Sequence, residues 1–516
     1  MTPMWHGQTS RRQALRGVGL LASSGLAAVA LAACGASAVA TPTSATTQQA
    51  STLSPVAKSS SPAASASSSA AVTTSVAPST TASSSAAAPA SGAQLTPTPA
   101  AGETRKGAAT TVDLSYGWGG TTAIQTWDAL GQKMGTDLTA FNVRWIVGDN
   151  GTKLVTAVAG GSPPDVAVGN APYSEYWAKG VAVTLDDYVA KSKLDLKTDI
   201  PASSWVGAAY KGKTFGVPAV EAFVRLGFAL DMTNLKQVGV DPKTFSWDWD
   251  TITQMQQQLT KKAPDGSLQL VGIDALDASG GNIFYWSNAW GIDYFDDKTG
   301  KFSFDNDQFA EALTVLKKVY DLAGGPDKIN GLRKQYGTWT ENPKAMFPSG
   351  VEDMLEIGYY APGELAHSSP SREFAFTWSP VPAAKKGFKF QTLGGHNAFI
   401  PQGAKHVAEG FQLIEYLVGD SAEQVIFDGQ GWLGARQSFL QKVDFSKYPG
   451  LDFYANSVKG ADKLFGVPSD PMSSFTGQQF SKAQQDVITN KAQPGDALKQ
   501  LQQLVTEQFK QRFPNG

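Results

Sequence analysis

The sequence predicts an α/β protein with parallel strands, confined to the residues after about 110. Three observations lead there. Beyond that point apolar runs of strand length alternate with helix-spaced patterns, the arrangement in which helical crossovers join parallel strands. Before it, from residue 34 to residue 110, no aromatic residue occurs. The 13 Trp, 14 Tyr and 26 Phe therefore fall almost entirely beyond residue 110, and a segment of about 400 residues buries a substantial core. The third observation is a single cysteine, Cys34. Without a second thiol it makes neither an intramolecular disulfide nor a Cys-based zinc site, so packing must supply the stability. Lys and Arg number 43 against 45 Asp and Glu, a formal net charge of −2. That balance leaves no cationic footprint for nucleic acid, which is not expected as a partner.

Residues 1–34 read as an export signal. Arg11, Arg12 and Arg16 form a basic start, and a weakly apolar run over about 18–33 leads to Leu31-Ala32-Ala33-Cys34. About sixteen such residues, with Gly and Ser inside, fall short of a membrane span. Leu31-Ala32-Ala33-Cys34-Gly35 resembles a bacterial lipobox, which implies acylation of the Cys34 sulfur and cleavage before it. Ser10-Arg11-Arg12-Gln13-Ala14-Leu15-Arg16 resembles a twin-arginine motif, with Ala14 where that motif usually carries Phe; it implies export of a folded protein. More than one acyl chain gives stable anchoring. Residues 35–110 are Ser/Thr/Ala/Pro-rich, with almost no charge from about 36 to 101, a composition expected to stay disordered. A coil of about 75 residues spans roughly 50 Å on average and on the order of 250 Å when stretched. It reads as a tether, and its composition also permits O-glycosylation.

The folded part opens with a strand over 112–116 that ends in Gly117-Trp118-Gly119-Gly120. A helix around 127–134, a strand over 142–147, a helix around 153–159 and a short buried strand over 165–168 come next. From here the residues resemble the extracellular solute-binding family of sugar ABC importers, which includes maltose-binding proteins. The resemblance is carried by Gly160-Gly161-Ser162-Pro163-Pro164-Asp165-Val166, Trp177-Ala178-Lys179-Gly180 and Leu185-Asp186-Asp187-Tyr188. It continues through Lys211-Gly212-Lys213-Thr214-Phe215-Gly216-Val217-Pro218, the stretch from Ala345-Met346 to Gly350, and Gly394-Gly395-His396-Asn397-Ala398-Phe399-Ile400-Pro401. It closes with a helix over 409–417 and a loop over 431–436, so that it covers essentially all of 111–516. It implies a two-lobed, type II periplasmic-binding-protein fold, lobes joined by crossing hinge strands with a ligand cleft between them. Lobe one is expected to comprise 111–219 plus about 393–440, and lobe two 220–392 plus about 441–516.

Other motifs are read against their chemistry. Gly207-Ala208-Ala209-Tyr210-Lys211-Gly212-Lys213-Thr214 fits the phosphate-loop pattern letter for letter. The chemistry needs a helix after it, and Phe215-Gly216-Val217-Pro218 runs into proline instead. Asp296-Asp297-Lys298-Thr299-Gly300-Lys301 lacks the spacing of a calcium loop and suits a hairpin turn, after which Asp305-Asn306 reads as a helix N-cap. The four histidines are not spaced as metal ligands, and no hydrolase signature appears. Glu352, Asp353 and Glu356 read as the solvated face of a helix. The chain is thus not expected to be an enzyme or to hold a cofactor or metal.

Sugars present apolar faces edged with hydroxyls, so their sites want aromatic platforms beside carboxylates, amides or guanidinium groups. The resemblance places such groups at strand ends in both lobes. In lobe one these are Trp118, Asn170 and Tyr173; Glu221 sits three residues beyond the hinge Pro218, where maltose-binding relatives place a sugar-contacting carboxylate. In lobe two they are Asn282, Tyr285 and Trp286, then Tyr359 and Tyr360. His396 and Asn397 border the Gly-Gly return, where many relatives have Trp in place of His, which suggests a polar contact. Trp432 and Arg436 are weaker candidates. Trp205, Trp247 and Trp249 read as packing residues, and Asp165 as a structural hydrogen-bond acceptor. The expected protein is a monomer on the outer face of the cell membrane, anchored through Cys34, that binds a mono- or oligosaccharide by hinge closure and delivers it to ABC permease subunits. Alternatives are a secreted glycan-acting hydrolase, a binding protein for a non-sugar solute such as a polyamine, peptide or metal chelate, and a sensor that presents its ligand to a receptor.

Overall fold

The computed structural model describes residues 110–116, 123–147, 151–169, 171–244 and 246–514. The export signal, Cys34, the tether, Trp118 and Asn170 lie outside the described residues. The first sheet has the order Asn142–Val147, Thr111–Tyr116, Val166–Val168, Asn397–Phe399, Gly216–Pro218. The first three strands run parallel, with Leu114 opposite Val166 and Tyr116 opposite Val168. The last two are antiparallel additions, the first of them returning from late in the chain. Helices lie between the parallel strands because their apolar positions recur on one face. In Ala123–Asp137 the buried residues are Ala123, Thr126, Trp127, Leu130, Gly131 and Met134, a three-and-four spacing. This helix packs on Asp420–Gln430. Gly429 permits the approach, since a Cβ there would sit 2.1 Å from the Thr126 hydroxyl.

The second sheet has the order Phe374–Thr377, Phe228–Asp231, Glu352–Glu356, Leu268–Ile273, Lys261–Lys262. Beside it the helix Asp307–Ala323 starts where the Asn306 side chain accepts from Phe309 N at 2.9 Å and ends at Gly324, φ +95; the final two helices, Ser473–Ile488 and Pro494–Arg512, pack on it. The hairpin expected over 296–301 is present, with Phe295–Asp296 paired to Lys301–Phe302. No helix among the described residues is long and apolar enough to cross a membrane.

Glu352, Asp353 and Glu356 correct the expectation from sequence. They lie on the central strand of the second sheet, each at most 3 % exposed. The apolar neighbours Val351, Met354, Leu355 and Ile357 pull this stretch into the core, and each carboxyl finds one donor. Glu352 accepts from Asp274 N at 2.7 Å, Asp353 from Asn234 Nδ2 at 2.7 Å, and Glu356 from Ser379 Oγ at 2.6 Å.

Chain crosses between the sheets at 219–227 and again at 393–397, where Val224 bridges Leu393. The two passes are held close: His396 N donates to Glu221 O at 2.6 Å and Ala219 N to His396 O at 3.0 Å. Gly395, at φ +148, is required there, because a Cβ would lie 2.2 Å from Glu221 O.

Candidate functional site

Between the two sheets lies a cavity of about 30 Å³, lined by Glu221, Arg225, Trp339, Tyr360, Glu364, His396 and Trp432. Each element delivers its side chain for a local reason. Glu221 and Arg225 stand on the first crossing. There Glu221 N donates to Ala219 O at 2.8 Å, closing a three-residue turn around Val220 at φ +68. A β-branched residue at positive φ is a true outlier, and such strain clusters at functional sites. Trp339, at φ +71, is a second one; its N–H donates to the buried Asp277 carboxyl at 3.2 Å. Tyr360 and Glu364 come from the start of Ala361–Ser368, and Trp432 from the turn after Asp420–Gln430.

Arg225 Nη1 reaches both Glu221 oxygens, at 2.5 and 2.6 Å, and its guanidinium lies 5.4 Å from the centre of the Tyr360 ring. Burial pushes the Glu221 carboxyl up, and the Arg225 charge opposes that shift. His396 Nε2 lies 3.4 Å from Glu221 Oε2. Burial first, and then the Arg225 charge, lowers the imidazole to about 3, so it is neutral at physiological pH. The Thr340 hydroxyl donates to Glu364. Tyr360 stacks on Trp339 with ring centres 6.2 Å apart and shares a 3.1 Å hydrogen bond with Ser279. Trp127 packs between Tyr116 and Trp432 at 4.5 and 5.9 Å, backing the cavity wall. Carboxylate, guanidinium and flat aromatic faces thus meet in one desolvated space, suited to a ligand with both hydroxyls and apolar faces.

Of the residues read from sequence, the structure brings Glu221, Tyr360 and His396 together at the cavity. Tyr359 sits behind them, its hydroxyl donating to Leu433 O at 2.9 Å and accepting from Leu433 N at 3.1 Å. Tyr173 and Asn397 form a separate contact, Asn397 N to Tyr173 Oη at 2.7 Å, beside the Trp177 ring. Tyr285 and Trp286 do not reach the cavity. Their helix, Ile283–Trp290, turns them into the core of the second sheet, where Trp286 stacks on Trp249 at 5.4 Å and Tyr285 Oη donates to Pro380 O. Asn282 caps that helix with its backbone alone. Trp432, weighed as weaker, lines the cavity, whereas Arg436 is committed to Asp199 and Asp420, at 2.9 Å each.

Sequence reasoning missed Arg225, Trp339 and Glu364. Arg225 lies four residues beyond Glu221; Trp339 stands in a short Gly-Thr loop and Glu364 just after the Tyr pair, neither with a spacing that marks it. The phosphate-loop lookalike is a hairpin, Ala209–Tyr210 with Lys213–Thr214, turning at Lys211 and Gly212 in left-handed conformation. Asp165 is the acceptor expected: Asp113 N, Lys405 N and His406 N each donate to it at 3.0 Å. Among the described residues no group of three or more His, Cys, Asp or Glu is arranged to hold a metal ion.

The sequence matches the profile of a family described as bacterial extracellular solute-binding protein over residues 119–424, more than half of the chain. The chain belongs to that family. Solved structures of solute-binding proteins share its two-lobed fold. CpMnBP1 with mannotriose bound aligns with a TM-score of 0.69 at 20 % identity, covering 77 % of this chain and 100 % of that one. An ABC transporter solute-binding protein of Thermotoga lettingae, bound with α-D-tagatose, scores 0.63 at 17 % identity, covering 77 % and 99 %. The maltose/maltodextrin-binding domain MalE of Bdellovibrio bacteriovorus, bound to maltotriose, scores 0.61 at 15 % identity, covering 78 % and 100 %. No curated protein matches the chain significantly. The type II periplasmic-binding-protein fold expected from sequence is the fold observed. The cavity lies between the two sheets of that fold, beside both crossings.

Proposed function

We propose that this solute-binding protein takes up a mono- or oligosaccharide and hands it to the permease of an ABC importer, held to the outer face of the membrane through acylated Cys34. One observation carries the ligand class: three aromatic side chains, Trp339, Tyr360 and Trp432, share a buried cavity with the Glu221–Arg225 pair. Flat rings cover the apolar face of a sugar, and charged groups hydrogen-bond its hydroxyls in pairs. The sugars and polyols bound to the structural relatives support the same class. We assign Glu221, Tyr360 and His396 as ligand contacts, joined by Arg225, Trp339, Glu364 and Trp432. The lobes are assigned as 111–219 plus about 393–440 and 220–392 plus about 441–516.

A thermal-shift screen of the full chain against mono- and oligosaccharides tests this. A ligand at one hundred times its dissociation constant adds about 2.7 kcal/mol to the native state, read as a rise of a degree or more. A rise with one saccharide class, without hydrolysis of that sugar, is the expected result. A cooperative melt that no saccharide moves rejects the carbohydrate assignment, and turnover of the sugar rejects the binding-only role.

A further inference from the structure

The cavity holds two carboxyl groups and one guanidinium. Glu221 and Arg225 neutralise each other through the two-oxygen contact, and Arg225 is turned to that partner and to the Tyr360 ring. Glu364, 1 % exposed, has no such cation among the described residues. Thr340 donates one hydrogen bond to it, and the charged groups facing it, Glu341 and Glu221, share its sign. His396, held neutral, brings no positive charge. Burial first, and then Glu341, raises the Glu364 carboxyl well above the usual range, which favours its protonated form. Trp432, on a side chain 1 % exposed, turns its indole N–H toward Glu364 from the same cavity wall.

We propose that the ligand of this cleft carries an ammonium group, that it is an amino-substituted saccharide such as a glucosamine oligomer, and that Glu364 is its counter-ion within the aromatic faces of Trp339, Tyr360 and Trp432. The proposal rests on the carbohydrate reading above and narrows it. A neutral sugar leaves Glu364 as an acid or as an uncompensated buried charge, whereas an ammonium group resolves both states at once. Aromatic faces around a desolvated cation add cation–π attraction. Binding then displaces the Glu364 proton to solvent. Affinity for the ammonium ligand should rise with pH, up to about tenfold per unit while Glu364 starts protonated.

The test is calorimetric titration of the full chain at pH 5, 6 and 7 with glucosamine oligomers, their N-acetylated counterparts, and the neutral sugars mannotriose and maltotriose. Acetylation removes the charge and keeps the ring. Glucosamine oligomers should bind at least tenfold tighter than the other sets, with the margin growing from pH 5 to pH 7. In Glu364→Gln that margin and its pH slope should vanish; if this variant does not fold, the amine-against-acetyl comparison on the native chain decides alone. Equal or tighter binding of neutral or acetylated sugars overturns the proposal and leaves the carbohydrate reading standing. Spermidine is titrated in parallel, and its binding with no saccharide bound overturns the carbohydrate reading, and the amino-saccharide with it. Silence from every probe overturns both.

Discussion

Glu221 is aimed into the cavity by a turn that its own predecessor disfavours. Val220 sits at φ +68 inside a three-residue turn and is 2 % exposed, so packing, not local preference, holds it there. Strain of this kind costs on the order of 1–3 kcal/mol, and glycine would remove it at an entropic cost of about 1 kcal/mol. Val220→Gly should therefore leave the melting temperature unchanged or raised while weakening ligand binding several-fold, because the Glu221–Arg225 pair loses its fixed aim. Calorimetry on the variant checks both; a large fall in melting temperature would mean that Val220 contributes packing instead. Legibility at this scale depends on how local the cause is. Asp165 was readable because an aspartate after Pro163-Pro164 meets backbone donors near its own strand and at 405–406. Arg225 was not, because its role exists only once the crossing has folded and placed its guanidinium on Glu221. Tyr285 and Trp286 misled for the converse reason: an aromatic cluster announces burial, and burial in a core looks the same in sequence as burial against a ligand.

Among the elements, the strand Glu352–Glu356 sets an unusual pH response. Burial pushes the Asp353 carboxyl up to about 7 and Asp470 up to about 6. Each binds its proton more tightly in the folded state than in the unfolded one. Their contribution to stability is thus complete near pH 4 and is lost as pH climbs toward 7. In the opposite sense, the Lys442 hydrogen bond holds Asp420 below the usual carboxylate range, and that contribution is lost as pH falls below about 4. The melting temperature should peak near pH 4 and decline by pH 8. Asp353→Asn should flatten the decline and stabilise the fold at pH 8 by up to about 4 kcal/mol, read by urea unfolding at both pH values. An unchanged slope would show that Asp353 is ionised in place. The opening strands were legible from apolar spacing: those expected over 112–116, 142–147 and 165–168 are observed at 111–116, 142–147 and 166–168. The carboxylate strand was not, because three acids in five residues outweigh their apolar neighbours in any reading that lacks Asn234, Asp274 and Ser379 as partners.

Over the whole molecule, the two-lobed fold was legible from the order of its motifs. The composition of the cleft was not, since its walls are drawn from five separate stretches of chain. The enclosed space is about 30 Å³, against the roughly 300–1,000 Å³ of sites that hold drug-sized ligands, so a ligand of saccharide size would need the lobes to part first. What resists parting is apolar. One continuous hydrophobic cluster runs from Val112 and Leu114 of the first sheet, through Val224 and Leu393 at the crossings, to Leu355 and Ile357 of the second. We therefore expect closure to release water from nonpolar surface whether or not a ligand is present, which favours the shut form at rest. The consequence is kinetic. Capture proceeds through a rare open population, and its rate has a ceiling. In rapid-mixing experiments that monitor Trp339 and Trp432 fluorescence, the observed rate should level off as ligand concentration rises, the plateau being the frequency with which the lobes open. A rate that keeps climbing in proportion to concentration, up to the diffusional range, would mean the cleft rests ajar.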